Sequence, residues 1–249
     1  MSIRRCYVSF ALVLTLSNVT QAQDSLKYST LSFGIGLNTI SNKDEFQSPY
    51  TYSGTNLLFN STYTRFRTKG QHIIDLTYSG GQIESIVSPK ADNKLLLFNY
   101  DYLFNIKTKS TNEKFMPSLG FGLHTLLSNT NYLPEIESPK SYLSGAAFLT
   151  LSGNILYHLN KKSSVRMQLG LPIFGLVYRP DFEINGETLT KTTLIGKSNL
   201  FSIKLEYDYK LIPKLNLTAT YNYNYFTLDE PRPIIILQNA LSIGLRKTF

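Results

Sequence analysis

The sequence predicts an all-β fold: a closed antiparallel transmembrane β-barrel of about ten strands, preceded by a cleaved signal peptide. Three observations carry that expectation. Apolar residues recur at every second position over long stretches. The first residues have the layout of a secretory leader. Short and longer links alternate between the periodic stretches, as the turns and loops of a membrane barrel do.

The 249 residues hold 42% hydrophobic and only 17% charged residues, with 17 Tyr, 15 Phe and no Trp. A soluble domain carries about 25% charged residues, so the deficit fits a surface spent largely in lipid. The formal net charge is +8. Its cations form no tract that could follow a nucleic-acid backbone; Arg65-Phe66-Arg67 and Lys161-Lys162 are short and sit at strand ends. Nucleic acid is therefore excluded as a partner.

Arg4 and Arg5 precede an apolar run from Tyr7 to Leu16, and Thr20-Gln21-Ala22 supplies small residues before a cut at Gln23. Residues 1–22 thus read as a removed signal, too short to span a bilayer as a helix, and residues 23–249 as the barrel. Cys6 precedes the apolar run and leaves with the leader, so the mature chain has no thiol for disulfides or lipidation. No later segment reaches about 18 consecutive apolar residues.

The strands follow in order: 27–40, 52–67, 71–87, 93–107, 114–129, 141–160, 163–179, 197–212, 214–228 and 234–249. In the first, Leu31, Phe33, Ile35 and Leu37 oppose Ser32, Gly34, Gly36 and Asn38. The fourth is the clearest: Leu96, Phe98, Tyr100, Tyr102, Phe104 and Ile106 share one face, with Leu97, Asn99, Asp101, Leu103 and Asn105 on the other, largely polar one. Later strands repeat the design. Phe201, Ile203, Leu205 and Tyr207 oppose Ser202, Lys204, Glu206 and Asp208, and Leu217, Tyr221 and Tyr223 oppose Thr218, Asn222 and Asn224. A helix would smear these apolar sets around its axis.

Alternation alone does not separate a barrel in lipid from a soluble barrel with a greasy interior. Length does: these strands exceed the usual 5–6 residues of soluble sheets and suffice for a tilted crossing. The alternate faces also look too rich in charge for a dry core. An even strand number brings both ends of the barrel to one side, with Lys69-Gly70, Asn160–Ser163 and Ile212-Pro213 as tight turns there.

These features resemble the small outer-membrane β-barrel proteins of Gram-negative bacteria, of the Bacteroidota type, over essentially the whole mature chain. The resemblance implies a bacterial outer-membrane location, contact with outer-membrane lipid and lipopolysaccharide, and assembly by the barrel-assembly machinery. It also implies that the last strand, through Leu241, Ile243, Leu245 and the terminal Phe249, is the signal that machinery reads. Activity is not specified by it.

The inward-facing charges expected to form a lumen network are Asp75, Asp101, His124, Arg166, Lys204, Glu206, Asp208 and Arg246. Charges in a narrow bore must be paired, and side chains as long as Arg166 and Lys204 can occlude it. His124 is the histidine best placed for chemistry, with Asp101 or Asp75 as carboxylate and Ser118 or Ser144 as nucleophile; a structural role in the network is the competing reading. The omptin-like surface proteases are also ten-stranded, with paired acidic residues and an Asp–His pair at the outer rim, but no such set can be placed here. Nor does His72 or His158 have the adjacent serine of a barrel lipid A deacylase. No metal cluster, cofactor fingerprint or catalytic set emerges. The expected function is a structural or interaction barrel with a narrow or occluded charged lumen, with an unidentified protein partner as one option. A pore for small or hydrophobic solutes is the alternative, and a membrane-embedded hydrolase using His124 a third.

Overall fold

A strand whose side chains alternate between apolar and polar can satisfy lipid on one side and a sheltered interior on the other. In hydrocarbon the sheet must also close, so that every backbone N–H and C=O finds a partner. The computed structural model does both. It describes residues 28–45, 48–87, 90–106, 114–132, 142–180, 188–194, 198–229 and 232–249; the expected leader lies outside them.

The strands are β1 (Ser29–Asp44), β2 (Thr51–Phe66), β3 (Gly70–Ile83), β4 (Ala91–Asn105), β5 (Phe115–Asn131), β6 (Tyr142–His158), β7 (Ser163–Pro180), β8 (Thr188–Leu194), β9 (Ser198–Ile212), β10 (Leu215–Leu228) and β11 (Ile234–Thr248). All pairings are antiparallel, between sequence neighbours except that β7 bridges to β9 past β8, and β1 pairs with β11 from Thr30–Thr248 to Asp44–Ile234. That seam closes the ring.

The ring has ten positions, although eleven strands are present among the described residues. β7 pairs with β8 over its last residues and with β9 over Ser163–Gly170, so β8 and β9 occupy one position in succession. Part of the link expected between residues 180 and 196 is therefore strand.

β7 also contains a β-bulge. Leu149 pairs with Phe174 and Thr150 with Pro172, leaving Ile173 as the extra residue. Proline has no N–H to give to a ladder and is tolerated at such a place. The bulge switches the parity. Arg166, Gln168 and Gly170 face inward before it, and Gly175, Val177 and Arg179 after it. Without the extra residue, Phe174, Leu176 and Tyr178 would be turned into the bore.

The outer wall is apolar. Phe33, Ile35 and Leu37 on β1, and Leu241, Ile243 and Leu245 on β11, are among its exposed side chains; Ile243 is 61% exposed. In water such a belt would be an aggregation surface; in acyl chains it is at home.

The interior divides into two halves. Buried apolar side chains, among them Ile40, Leu95, Leu97, Phe148, Leu200 and Phe226, form a single cluster. Its strand members lie in the half of each strand nearer the long-loop end, and Tyr132 follows β5 at that end. The other half, toward the tight turns, is lined by buried Asp75, Asp101, Arg166, Glu206, Asp208 and Arg246. The expectation that the inward faces were too charged for a dry core is thus corrected. Most of the buried charge lies in the turn-end half, and the other half holds the hydrophobic plug, with the buried Asp44–Arg179 pair at its top.

Candidate functional site

The inward charges come from β3, β4, β5, β7, β9 and β11, and the curvature of the ring brings them within reach of one another. Nearest the tight turns, Glu206 accepts from Arg246 Nη2 at 2.8 Å, from Lys204 Nζ at 3.0 Å and from Arg166 Nη1 at 3.3 Å. Arg246 also donates to Asp208 through Nη1, and Thr218 Oγ1 donates to Asp208 Oδ1 at 2.7 Å. Lys204 spans the bore from β9 to β3, where its ammonium meets Asp75 and donates to Thr62 Oγ1 at 2.8 Å. Thr62 Oγ1 in turn donates to Asp75 Oδ1. In this low-dielectric space an unpaired carboxylate would be costly, and each of these has at least one cation against it.

Tyr28, just before β1, seals that end by stacking on Phe66 with ring centroids 4.3 Å apart. The Arg166 guanidinium lies over the same Phe66 ring at 5.6 Å. Burial pushes the Tyr28 phenol above its ordinary value, opposed by the nearby Arg166 and Arg246 charges.

One layer toward the long loops, Asp101 organises a second group. Its Oδ1 lies 3.1 Å from His124 Nε2 and accepts from Ser152 Oγ, while its Oδ2 accepts from Gln168 Nε2 at 2.6 Å. His124 Nδ1 faces Ser202 Oγ at 3.3 Å. With the Nε2 proton directed at the carboxylate, Nδ1 is left to accept from the serine hydroxyl. Gly170 makes this possible: a Cβ there would stand 2.4 Å from His124 Cε1 and 2.5 Å from Ser202 Oγ.

Carboxylate, imidazole and hydroxyl in series is the order of a nucleophile relay. The setting is not that of an open active site. His124 is 2% exposed. The space it borders is a cavity of about 30 Å³ beside Asn60, Asp75, Gln168, Ser202 and Lys204. Such a cavity admits water, which needs roughly 10–15 Å³, and no organic substrate.

The sequence-derived residues therefore fall into two groups, Asp75, Arg166, Lys204, Glu206, Asp208 and Arg246 in one, Asp101 and His124 in the other. Ser118 receives a hydrogen bond from Gln71 Nε2 at 2.8 Å, and Ser144 lies opposite Ser128 in the ladder. The serine beside His124 is Ser202, which sequence reasoning missed. It shares the inward parity of Lys204, but strand spacing does not say which inward residue lies across the bore from His124.

At the long-loop end, Arg179 Nη2 is bonded to Asp44 and Nη1 donates to the Arg232 carbonyl at 2.6 Å. β7 and β1 are well separated around the ring, so this contact clasps the top of the plug. Leu241, Ile243, Leu245 and Phe249 lie on the lipid-facing wall, and Lys247 stands over the Phe249 ring at 5.2 Å. Among the described residues no group of acidic, histidine or cysteine side chains could hold a metal ion.

No family model and no curated protein matches the chain. Among solved structures it is similar to the outer membrane protease OmpT from Escherichia coli, with a TM-score of 0.58 and 10% identity over 92% of this chain and 99% of that one. It also aligns with the translocator domain of the autotransporter NalP from Neisseria meningitidis (TM-score 0.48, 9% identity, 99% and 96% covered) and with Neisserial surface protein A (0.42, 14%, 89% and 97%). At these identities the likeness is one of fold. The Asp–His pair that this chain does form lies inside the barrel, not at the outer rim. The closed ring, the apolar outer wall and the likeness to the OmpT barrel together make this the fold of a bacterial outer-membrane β-barrel.

Proposed function

We propose that this chain is a sealed outer-membrane barrel, a structural or interaction component that works through its rims, loops and lipid-facing wall and not through its bore. The observation that supports this reading is the filling of the bore along its length. The apolar plug, the Asp101–His124 layer and the Glu206 ion network follow one another, and the cavity between them is about 30 Å³. Ligand pockets run to about 300–1,000 Å³. A solute pore or a His124 hydrolase would each need a path that these side chains occupy.

In this reading residues 1–22 direct export, and the terminal strand with Phe249 presents the segment taken up by the barrel-assembly machinery. Lipopolysaccharide and any protein partner meet the long-loop end. Reconstitution in planar bilayers tests the sealed bore. The expected result is a closed baseline that stays closed after Lys204→Ala and Arg166→Ala, because the plug is untouched. Steady single-channel conductance in the unmodified protein would overturn it.

A further inference from the structure

Nine exposed cations, scattered in the sequence, converge on one end of the barrel. Arg65 closes the lipid-facing side of β2, and Arg67 and Lys69 follow on the β2–β3 turn. Lys114 opens β5, and Lys161 and Lys162 form the β6–β7 turn. Lys210 and Lys214 flank the β9–β10 turn, and Lys247 ends the lipid-facing side of β11. All of them are exposed.

They sit on a continuous rim, since each turn is tied to the next strand end. Asn105 N donates to the Lys69 carbonyl, His158 N to that of Lys114, Lys210 N to that of Lys162, and Thr248 N to that of Lys214, at 2.7 to 3.2 Å. Among the described residues no Asp or Glu side chain is exposed at this end; Glu206 and Asp208 are inside, committed to the buried arginines and Lys204. The long-loop end is mixed: Lys43 is paired with Glu45 at 2.7 Å, and Glu84, Asp92 and Asp229 are exposed.

We propose that this rim is a binding surface for anionic phospholipid headgroups, in the leaflet at the tight-turn end. Two features select a lipid over a soluble acidic partner. Arg65 and Lys247 project from the same face as the acyl-facing side chains, immediately beyond the apolar belt, where the outward neighbour is a headgroup. Aromatic groups mark the same depth: His72 Nδ1 lies 3.0 Å from Tyr100 Oη and its ring 4.7 Å from that of Tyr102, and His72 pairs with Arg65 in the ladder. Lys and Arg at the surface of an anionic leaflet attract its lipids, and the attraction weakens with salt.

The test is lipid selectivity around the full barrel in phosphatidylcholine bilayers. Trace spin-labelled phosphatidylglycerol or spin-labelled phosphatidylcholine is added, and the motionally restricted fraction is read by electron paramagnetic resonance. At low salt the glycerol lipid is expected to associate about fivefold more strongly than the choline lipid. The ratio is expected to approach one at about 1 M salt, and in a variant with Arg65, Arg67, Lys69, Lys161, Lys162, Lys214 and Lys247 changed to glutamine. Neutralising Lys43, Lys90 and Lys94 at the other end should leave it unchanged. Equal association in the unmodified protein overturns the proposal, as does a preference that survives the rim variant or high salt. So does a rim that captures an acidic soluble protein while showing no choice among lipids. The salt titration needs no variant, so the proposal stays testable if the glutamine rim fails to fold.

Discussion

Glu206 is the side chain on which the turn-end half of the bore depends. It faces Arg246, Lys204 and Arg166 at once and is 2% exposed. Changing it to alanine leaves three cations crowded in a space without their shared carboxylate, with only Asp75 and Asp208 to divide among them. Loss of one partner from a buried ion network costs about 3–5 kcal/mol. The expected outcome for Glu206→Ala is a destabilisation of that order in denaturant unfolding from lipid vesicles. Little change would mean that water reaches these groups. His124 illustrates the same scale differently. Its parity placed it inward and Asp101 on the adjacent strand, and the two do meet. Its second partner, Ser202, comes from β9 across the bore, and room for the contact depends on Gly170 of β7, which no local pattern in either strand indicates.

At the scale of the strand, alternation decides which face meets lipid. Ile243 lies mid-strand on β11 and is 61% exposed, paired with Ile35 of β1 and Ala219 of β10. Arginine at a lipid-facing site near the bilayer midplane costs about 2–4 kcal/mol. Ile243→Arg should therefore lower stability in vesicles by that amount, whereas an inward-facing Ile243 would not show this dependence on depth. Other strand features were harder to read. Consecutive apolar residues such as Leu95-Leu96-Leu97-Phe98 and Ile234-Ile235-Ile236-Leu237 are the trace of the plug, because a strand greasy on both faces has lipid on one side and a dry interior on the other. Period-two counting passes over such runs. The bulge at Ile173 is similarly quiet in sequence. Pro172 hints at it, but only the pairing shows that one residue is extra and that the inward set shifts by one.

For the whole molecule, closure is the main energetic fact. The β1–β11 seam leaves no free edge between first and last strands, and the ladder spans Thr30 to Asp44. Close approach at the seam requires glycine at Gly36, where a Cβ would lie 1.9 Å from the Leu241 carbonyl oxygen. A ring held by ladder bonds throughout, with a packed interior and an apolar coat, should resist unfolding in detergent at room temperature. The purified protein is expected to migrate faster unheated than boiled on gels; a folded preparation whose mobility does not change on heating would count against the closed barrel.

The sequence by itself indicated about ten strands and, outside the bulged β7, the face each turns to lipid. Those are local properties: side chains alternate from one residue to the next whatever lies elsewhere. It also named the inward charges of the turn-end half, though not the buried Asp44 and Arg179. Only the tertiary structure decided what those charges meet, that apolar side chains stop the bore at the long-loop end, and that lysines and arginines far apart in the chain share one rim. Partners across a barrel are set by the stagger of the closed sheet and by the bulge in β7, which no single strand encodes.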